Sequence, residues 1–236
     1  IIPADEALAN ELARDFALQV FALEKLPENA APLREPSIAA LGDEGLAYVL
    51  KTLGFDYDLI GKGDLSSGNI LKYDALINMN TDYATIGGMG RENLAEFFES
   101  GGDYIGIGTS GATFGGLLDI GYVSDSGNAI VALDYDNTTT LAAGFLEDDY
   151  AFVNTPVWFT LPDQGEVIAA SYAGADLLVS GYWPGWGSSG AAGSPAIVFG
   201  SIDQSDITFF GIDLTFRGHP ENTFRLIANA IFNGLD

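Results

Sequence analysis

The sequence contains no cysteine, a single histidine and only nine lysine and arginine residues among its 236 positions. Without cysteine, the chain can form no disulfide and offers no thiolate as a nucleophile or metal ligand. An imidazole base would have to be His219. The sequence therefore excludes thiol chemistry and any metal site that takes two histidines from this chain.

The shortage of basic residues leaves a strongly acidic chain. Its 33 acidic residues outnumber the 9 basic ones, which gives a formal net charge of −24 at pH 7. Such a charge argues against binding to nucleic acid or to an anionic membrane surface. No apolar run approaches the roughly 20 residues that a membrane-spanning helix requires, so we expect no membrane insertion. Nothing in the composition indicates an oligomeric state.

Hydrophobic residues are plentiful, at 47% of the chain, and can fill a sizeable core. The chain opens IIPADEALANEL, without Met, so we expect this start to be a mature end or an internal boundary.

Apolar residues recur every three or four positions from 4 to 26, which predicts an amphipathic helix, and the proline-rich PENAAPLREP follows. We predict two parts: residues 1–36, a helix with its linker, and residues 37–236, an α/β domain.

Short apolar segments alternate with helical patterns after the linker. SIAAL, YDLI, YDALINM and YIGIG are separated by helix-like segments that include residues 44–54 and 91–99. This alternation predicts βα units and a mostly parallel sheet with flanking helices. Beyond Gly121 strand-like runs predominate, so we expect additional β structure in the C-terminal half. PAIVFGS and ITFFGIDLTF, joined by IDQSD, predict a hairpin, and ENTFRLIANAIF predicts a final helix.

Three pieces of the sequence resemble the class I glutamine amidotransferase-like fold, a flavodoxin-like α/β sheet. They are GGDYIGIGTSGATF, LLVSGYW with the glycine-rich loop after it, and FFGIDLTFRGHPENTFRLIANAIF. The resemblance covers about residues 37 to 236. It is closest to domains attached to the C-terminal side of secreted zinc carboxypeptidases of the carboxypeptidase A type, and the pattern FRG…TF.L..NA is its most specific part.

The resemblance implies an accessory role. A carboxypeptidase zinc site needs two histidines and a glutamate, and this chain has one histidine, so zinc would belong to a peptidase domain elsewhere in a longer polypeptide. We expect no cofactor in this chain itself. The implied partners are that peptidase domain or an extracellular peptide or glycan. The implied location is extracellular or at the cell surface. Our leading hypothesis is a non-catalytic accessory or interaction domain.

The strand-to-helix turn of this family carries the motif G-x-C-x-G. Here Gly108, Thr109, Ser110, Gly111 and Ala112 match it, with serine in place of cysteine and alanine in place of the second glycine. A hydroxyl needs a base within hydrogen-bond reach to act as a nucleophile. Ser110 is therefore either a nucleophile or a small residue in a turn that survives as fold geometry.

A hydrolase is the competing hypothesis, with Ser110, His219 and Glu221 as its catalytic residues. The sequence HPE at 219–221 resembles the His-Pro-Glu of amidotransferases, and Gly87 and Gly88 would be the oxyanion donors. Aligning the strand end, however, places Thr215 at the catalytic histidine position. The structural alternative is that Pro220 and Glu221 begin the last helix.

A third hypothesis is a small-molecule or glycan-binding module. Tyr182, Trp183 and Trp186 lie in a glycine-rich segment and would either stack on a ligand or fold over the sheet. Arg217 would either bind a carboxylate or form a structural ion pair. The segment DYDN is a weak candidate metal site that resembles a calcium loop but lacks its downstream glycine and glutamate; its members are Asp134, Asp136 and Asn137.

The charge imbalance predicts that salt stabilises the fold. Because 33 carboxylates repel one another more strongly in the compact state, screening by salt should favour that state. We expect the melting temperature, measured by circular dichroism, to be higher in 1 M NaCl than at low salt. A melting temperature that falls as NaCl is added would contradict this expectation.

Overall fold

The structure is a computed structural model that describes residues 34–114, 116–118, 120–160 and 166–233, together with residues 6, 7, 9, 10, 24 and 25. The chain divides into two compact units, Ile1–Leu33 and Arg34–Asp236. Most of the predicted N-terminal helix and its linker fall outside the described residues, although residues 6, 7, 9 and 10 are helical.

The second unit contains strands and helices in alternation and then a run of strands. The strands are β1 (Ile38–Leu41), β2 (Tyr57–Leu59), β3 (Ala75–Asn78), β4 (Asp103–Ile107), β5 (Gly121–Ser124), β6 (Asn128–Tyr135), β7 (Asp148–Val153), β8 (Val157–Thr160), β9 (Val167–Tyr172), β10 (Leu178–Tyr182), β11 (Pro195–Ile202) and β12 (Ser205–Phe210). The helices are α1 (Glu44–Thr52), α2 (Lys62–Ser66), α3 (Gly88–Glu99), α4 (Gly108–Gly111) and α5 (Phe224–Asn233).

Five strands form a parallel sheet in the order β2-β1-β3-β4-β12. This is the order of the flavodoxin-like fold. Ala40 of β1, for example, lies opposite Leu59 on one side and Ile77 on the other. The prediction that SIAAL, YDLI, YDALINM and YIGIG share one parallel sheet is therefore confirmed.

An antiparallel half extends the same sheet beyond β12. The order continues through β11, β9 and β6, and both β7 and β10 pair with β6. β11 and β12 form the predicted hairpin, which turns at Asp203 and Gln204. β5 and β8 form a separate two-stranded sheet. The additional β structure predicted for the C-terminal half is present.

The side chains of the parallel strands alternate between two hydrophobic cores, one on each face of the sheet. In β1, Ile38 and Ala40 belong to one core, whereas Ala39 and Leu41 belong to the other. Helices α1 and α5 cover the first core, and α2 and α3 cover the second; the residues that they bury there include Leu46, Val49, Leu226 and Ile227, and Leu65, Leu94, Phe97 and Phe98. Helices thus flank both faces, as predicted.

Helix α1 begins where the sequence predicts because Asp43 caps it. The Asp43 carboxylate accepts the backbone N–H groups of Gly45 at 2.8 Å and Leu46 at 3.2 Å. This satisfies two of the four amide groups that the first turn of a helix leaves without a helical partner. The cap fixes the direction in which the chain leaves β1. Within the described residues, no helix is long and apolar enough to cross a membrane.

A buried carboxyl group lies at the amino-terminal edge of the parallel strands. Asp103, the first residue of β4, is buried and accepts the backbone N–H of Asp206 at 2.8 Å. Burial, together with the neighbouring carboxylates of Asp206 and Asp74, raises the pKa of Asp103 to about 7, although the Asp206 N–H and Arg34 act in the opposite direction. The folded chain therefore holds a proton on Asp103 at a pH where the unfolded chain does not.

This proton gives a prediction for stability against pH. Because the pKa of Asp103 is about 7 in the folded chain and about 4 in an unfolded one, folding loses stability as the pH rises through that interval. We expect Asp103→Asn to raise the melting temperature at pH 8 more than at pH 5. The exposed Asp176→Asn is the matched control, since it removes one negative charge without a buried carboxyl. Equal effects of the two substitutions at pH 8 would contradict the assignment.

Candidate functional site

A pocket of about 130 Å³ lies at the carboxyl ends of β3, β4 and β12. Open α/β sheets bind ligands at this edge. The loop after β7 forms part of its rim. The lining residues are Met79, Ile107, Gly108, Thr109, Asn154, Thr155, Ile212 and Asp213.

The sharp turn after β4 is centred on Gly108. This residue has φ of +66°, a left-handed conformation, and α4 begins with it. Strand-to-helix elbows of hydrolytic enzymes present their nucleophile on such a strained turn. The prediction placed Ser110 at the top of the turn, but the left-handed residue lies two positions earlier. A β-carbon built on Gly108 meets no atom within 4 Å, so this position faces open space.

A buried hydrogen-bond network holds the turn against β3. The Asn78 amide donates to the Thr81 carbonyl and to the Tyr104 hydroxyl, both at 2.8 Å, and accepts the Thr81 N–H at 3.0 Å. The Tyr104 hydroxyl in turn donates to the Gly111 carbonyl at 2.9 Å. Both Asn78 and Tyr104 are fully buried. The network therefore joins the loop after β3 to the turn after β4 without leaving these buried side-chain groups unpaired.

The same turn packs directly on backbone. A β-carbon added to Gly111 would lie 1.8 Å from the Asn78 carbonyl oxygen, and one added to Gly106 would lie 2.3 Å from the Gly111 carbonyl oxygen. Both distances are far below van der Waals contact, and a backbone carbonyl cannot rotate away as a side chain can. Gly111 thus has a packing role, which is the structural alternative considered for this motif.

Asp213 is the acidic residue of the pocket. It follows β12 and is half-buried, and its burial, together with the negative charge of Asp43, raises the pKa of its carboxyl group. Backbone hydrogen bonds from Thr215 and Phe216 act in the opposite direction. Asp213 carries an ionisable group in a cleft with a pKa displaced upward, which is a feature of functional sites.

Thr215 occupies the position that the family alignment assigns to a catalytic histidine. It is buried, and its hydroxyl donates to the Met79 sulfur at 3.6 Å. Its carbonyl oxygen approaches Gly45 so closely that a β-carbon there would lie 2.5 Å away. Thr215 therefore joins the segment after β12 to the loop after β3 and to the start of α1.

His219 and Glu221 lie in the connection to the last helix. His219 is exposed, and Glu221 begins the 3₁₀ turn Glu221–Thr223 that leads into α5. Among the described residues, no hydrogen bond joins the side chains of Ser110, His219 and Glu221, and the pocket is lined by none of the three. The structure thus does not bring the predicted triad together in the pocket.

The other predicted site residues are distributed over the molecule. Gly87 and Gly88, the predicted oxyanion donors, are exposed at the start of α3 and do not line the described pocket. Arg217 is exposed, has φ of +53° and lies over the Phe216 ring at 5.1 Å. The two ion pairs among the described residues, Arg34–Asp74 and Lys72–Asp58, do not involve Arg217, so the ion-pair interpretation finds no support there.

The three aromatic residues of the glycine-rich segment have different environments. Trp183 is buried, and its indole N–H donates to the Asp125 carboxylate at 2.9 Å. Trp186 is half-buried against the same core. Tyr182, at the end of β10, is 71% exposed. The assignment of Trp183 as a binding residue is wrong, because its ring faces the core and its N–H already has a partner.

The DYDN segment has a local structural role. Asp134 lies on the exposed face of β6, and the Asp136 carboxylate accepts the Thr138 N–H at 3.0 Å and hydroxyl at 2.6 Å. Among the described residues there is no group of three or more histidine, aspartate or glutamate side chains that could hold a metal ion. The weak calcium prediction for Asp134, Asp136 and Asn137 therefore gains no support.

Comparison with known proteins gives the fold. No family model and no curated protein sequence matches the chain. A cytoplasmic protein from Salmonella typhimurium is similar in structure, with a TM-score of 0.61, 11% identity, and coverage of 84% of this chain and 98% of that one. A glutamine amidotransferase from Thermotoga maritima has a TM-score of 0.52, 8% identity, and coverage of 86% and 100%. The fold is that of the class I glutamine amidotransferases.

The same fold also occurs inside a longer chain. A β-galactosidase from G. stearothermophilus matches with a TM-score of 0.57 and 11% identity, and the match covers 86% of this chain but 30% of that one. At these identities the similarity shows the fold alone.

The packing of the elbow predicts a severe effect of one added methyl group. We expect Gly111→Ala to lower the free energy of unfolding by about 3 kcal/mol or more, because the new β-carbon would overlap the Asn78 carbonyl. Gly63→Ala is the matched control: Gly63 is exposed in α2, and its β-carbon would meet no atom within 4 Å. It should be neutral or slightly stabilising. Urea denaturation of both variants measures the difference, and similar midpoints would refute the described packing.

Proposed function

We propose that the chain is a non-catalytic binding domain built on the amidotransferase fold. The observation that carries the proposal is Gly108 at the elbow. The turn presents this residue to the pocket, and a glycine has no side chain to attack a substrate. Covalent catalysis of the amidotransferase type needs a nucleophile at this point.

The position of the base supports the same proposal. Thr215 stands where the family alignment requires histidine, and the hydroxyl of Thr215 is engaged with Met79. The one histidine of the sequence, His219, is exposed in the connection to α5. A general base must lie within about 3 Å of the proton that it takes, directly or through a water molecule. None of the residues that line the pocket is a serine, a cysteine or a histidine.

The accessory role remains part of the proposal. It rests on the terminal pattern FRG…TF.L..NA, which resembles domains attached to secreted zinc carboxypeptidases. That a similar fold forms 30% of a β-galactosidase chain fits a domain that accompanies an enzyme. The proposed partners are a peptidase domain of the same polypeptide or an extracellular peptide or glycan, and the proposed location is outside the cell or at its surface.

Hydrolysis assays distinguish this proposal from a Ser110 hydrolase. We expect the purified chain to release no ammonia from glutamine and no nitrophenol from p-nitrophenyl acetate above the rate of a buffer blank. Ser110→Ala and His219→Ala should behave as the unmodified chain does. Ser188→Ala, which removes an exposed hydroxyl elsewhere, is the control for nonspecific ester cleavage. Turnover that Ser110→Ala abolishes and Ser188→Ala preserves would overturn the proposal.

A further inference from the structure

The outward face of β6 and β7 carries apolar side chains that belong to neither hydrophobic core. Val131 and Leu133 of β6 lie in the first core, whereas Ile130 is 38% exposed and Tyr150 of β7 is 53% exposed. Phe152 of β7 lies opposite Ile130 and is half-buried. We call Ile130, Tyr150 and Phe152 the outer patch; none of them is part of either core. Contiguous apolar side chains on an exposed face mark an interaction site.

β10 extends this face on the other side of β6. Its Ser180 lies opposite Ile130, and its Tyr182 lies opposite Asn128, so the Tyr182 side chain shares the face of the outer patch. Tyr182 and Val179 of β10 are both exposed. Because neighbouring strands lie about 4.8 Å apart, the three strands give this face a width of about 10 Å. Such a width suits one extended peptide segment.

An acidic pair lies at one end of the outer patch. Asp134 of β6 and Asp148 of β7 are directly opposite each other, and both are exposed on the face that carries Tyr150. Like charges in opposite positions of an antiparallel pair destabilise each other. The two ion pairs among the described residues involve other groups, so no basic side chain of that part of the chain neutralises this pair.

The other end of the outer patch is positively charged. The Phe152 ring lies 4.7 Å from the Phe216 ring, and the Arg217 guanidinium lies over the Phe216 ring at 5.1 Å. Phe152 follows Asp148 by four positions on one strand, a distance of about 13 Å. The face therefore has an acidic end, an apolar middle and a basic end, which gives a charged ligand one favoured orientation.

We propose that this face binds an extended peptide segment in which a basic residue adjoins apolar residues. A lysine or arginine side chain of the peptide lies between Asp134 and Asp148, and the apolar side chains cover the outer patch. The positive charge relieves the repulsion between the two carboxylates. Tyr150, two positions from Asp148 on the same face, offers its ring to the same cation.

The charge of the chain favours this occupant over a second copy of the protein. A second copy would bring another net charge of −24 and would add carboxylates to the acidic pair instead of neutralising it. A neutral glycan would leave the repulsion between Asp134 and Asp148 unchanged. The inference rests on the proposed function, because it names the chemistry of the extracellular peptide proposed there as a partner.

The probe is the peptide acetyl-Lys-Lys-Leu-Phe-Leu-amide, titrated into the ¹⁵N-labelled chain at constant ionic strength. We expect saturable shifts in the amide resonances of Ile130, Tyr150 and Phe152. The matched peptide acetyl-Glu-Glu-Leu-Phe-Leu-amide has the same apolar residues and the opposite charge. It should bind more weakly by about fivefold or more, because it meets the acidic pair with like charges.

Two pairs of variants separate the acidic pair from the general charge of the chain. Asp134→Asn with Asp148→Asn should weaken binding of the lysine peptide about fivefold or more. Asp56→Asn with Asp176→Asn removes the same charge from exposed positions elsewhere and should leave the affinity unchanged.

A third comparison tests the apolar middle. Tyr150→Ala should weaken binding, whereas Tyr122→Ala should not, because Tyr122 is equally exposed, at 54%, but lies on β5 in the separate sheet. Near-ultraviolet circular dichroism verifies that each variant is folded.

Several outcomes would overturn the inference. They are equal affinity for the two peptides, unchanged affinity in the variant without the acidic pair, Tyr150-dependent binding of maltoheptaose in place of the peptide, or a dimer in light scattering that Tyr150→Ala dissociates. The hydrolysis assays fail separately. Turnover that depends on Ser110 would refute the proposed function even where the lysine peptide binds this face, and absent peptide binding without turnover would refute only this inference.

Discussion

The contact between the turn after β4 and the end of β3 is the constraint on which the site depends. Gly111 lies so close to the Asn78 carbonyl that no β-carbon fits, and the buried Asn78 and Tyr104 side chains hold the two loops together. This contact fixes where β4 ends and how the chain enters α4. It thereby fixes Gly108 at the edge of the pocket, facing Asp213 and the loop after β7.

Geometry and chemistry are separate requirements at this elbow. The turn needs a left-handed residue, and glycine adopts that conformation without the cost of about 1–2 kcal/mol that a β-carbon brings. A nucleophilic side chain at Gly108 would have to bear this cost for the sake of a reaction. With glycine there, the turn keeps its shape at low cost, and the volume that a side chain would occupy becomes part of the pocket.

The sequence allowed the sheet to be predicted but not the site. The alternation of apolar and helical segments was sufficient to predict the parallel strands, because the spacing of apolar residues within a segment indicates whether that segment forms a strand or a helix. The sequence placed Ser110 at the top of the turn, whereas the left-handed residue is Gly108, two positions earlier. Several glycines surround Ser110, and the amino-acid sequence alone does not show which residue adopts the left-handed conformation. The sequence left open whether the Trp183 ring stacks on a ligand or folds over the sheet, and the ring is buried in the core. The pocket joins Thr109, Asn154 and Asp213, which are far apart in the sequence and meet only through the order of the strands. The one local signal for Asp213 was its place directly after the apolar run ending in FFGI.

The hairpin of β11 and β12 has a consequence for how this domain can diversify. At this hairpin the strands change from parallel to antiparallel pairing. The antiparallel half of the sheet brings the loop after β7, with Asn154 and Thr155, to the same edge as the elbow. These two residues are exposed and take no part in the contact between Gly111 and Asn78. Exchange of this short rim would therefore alter which ligand is recognised while the folding of the elbow is preserved, so that selection on specificity and selection on stability act on different residues.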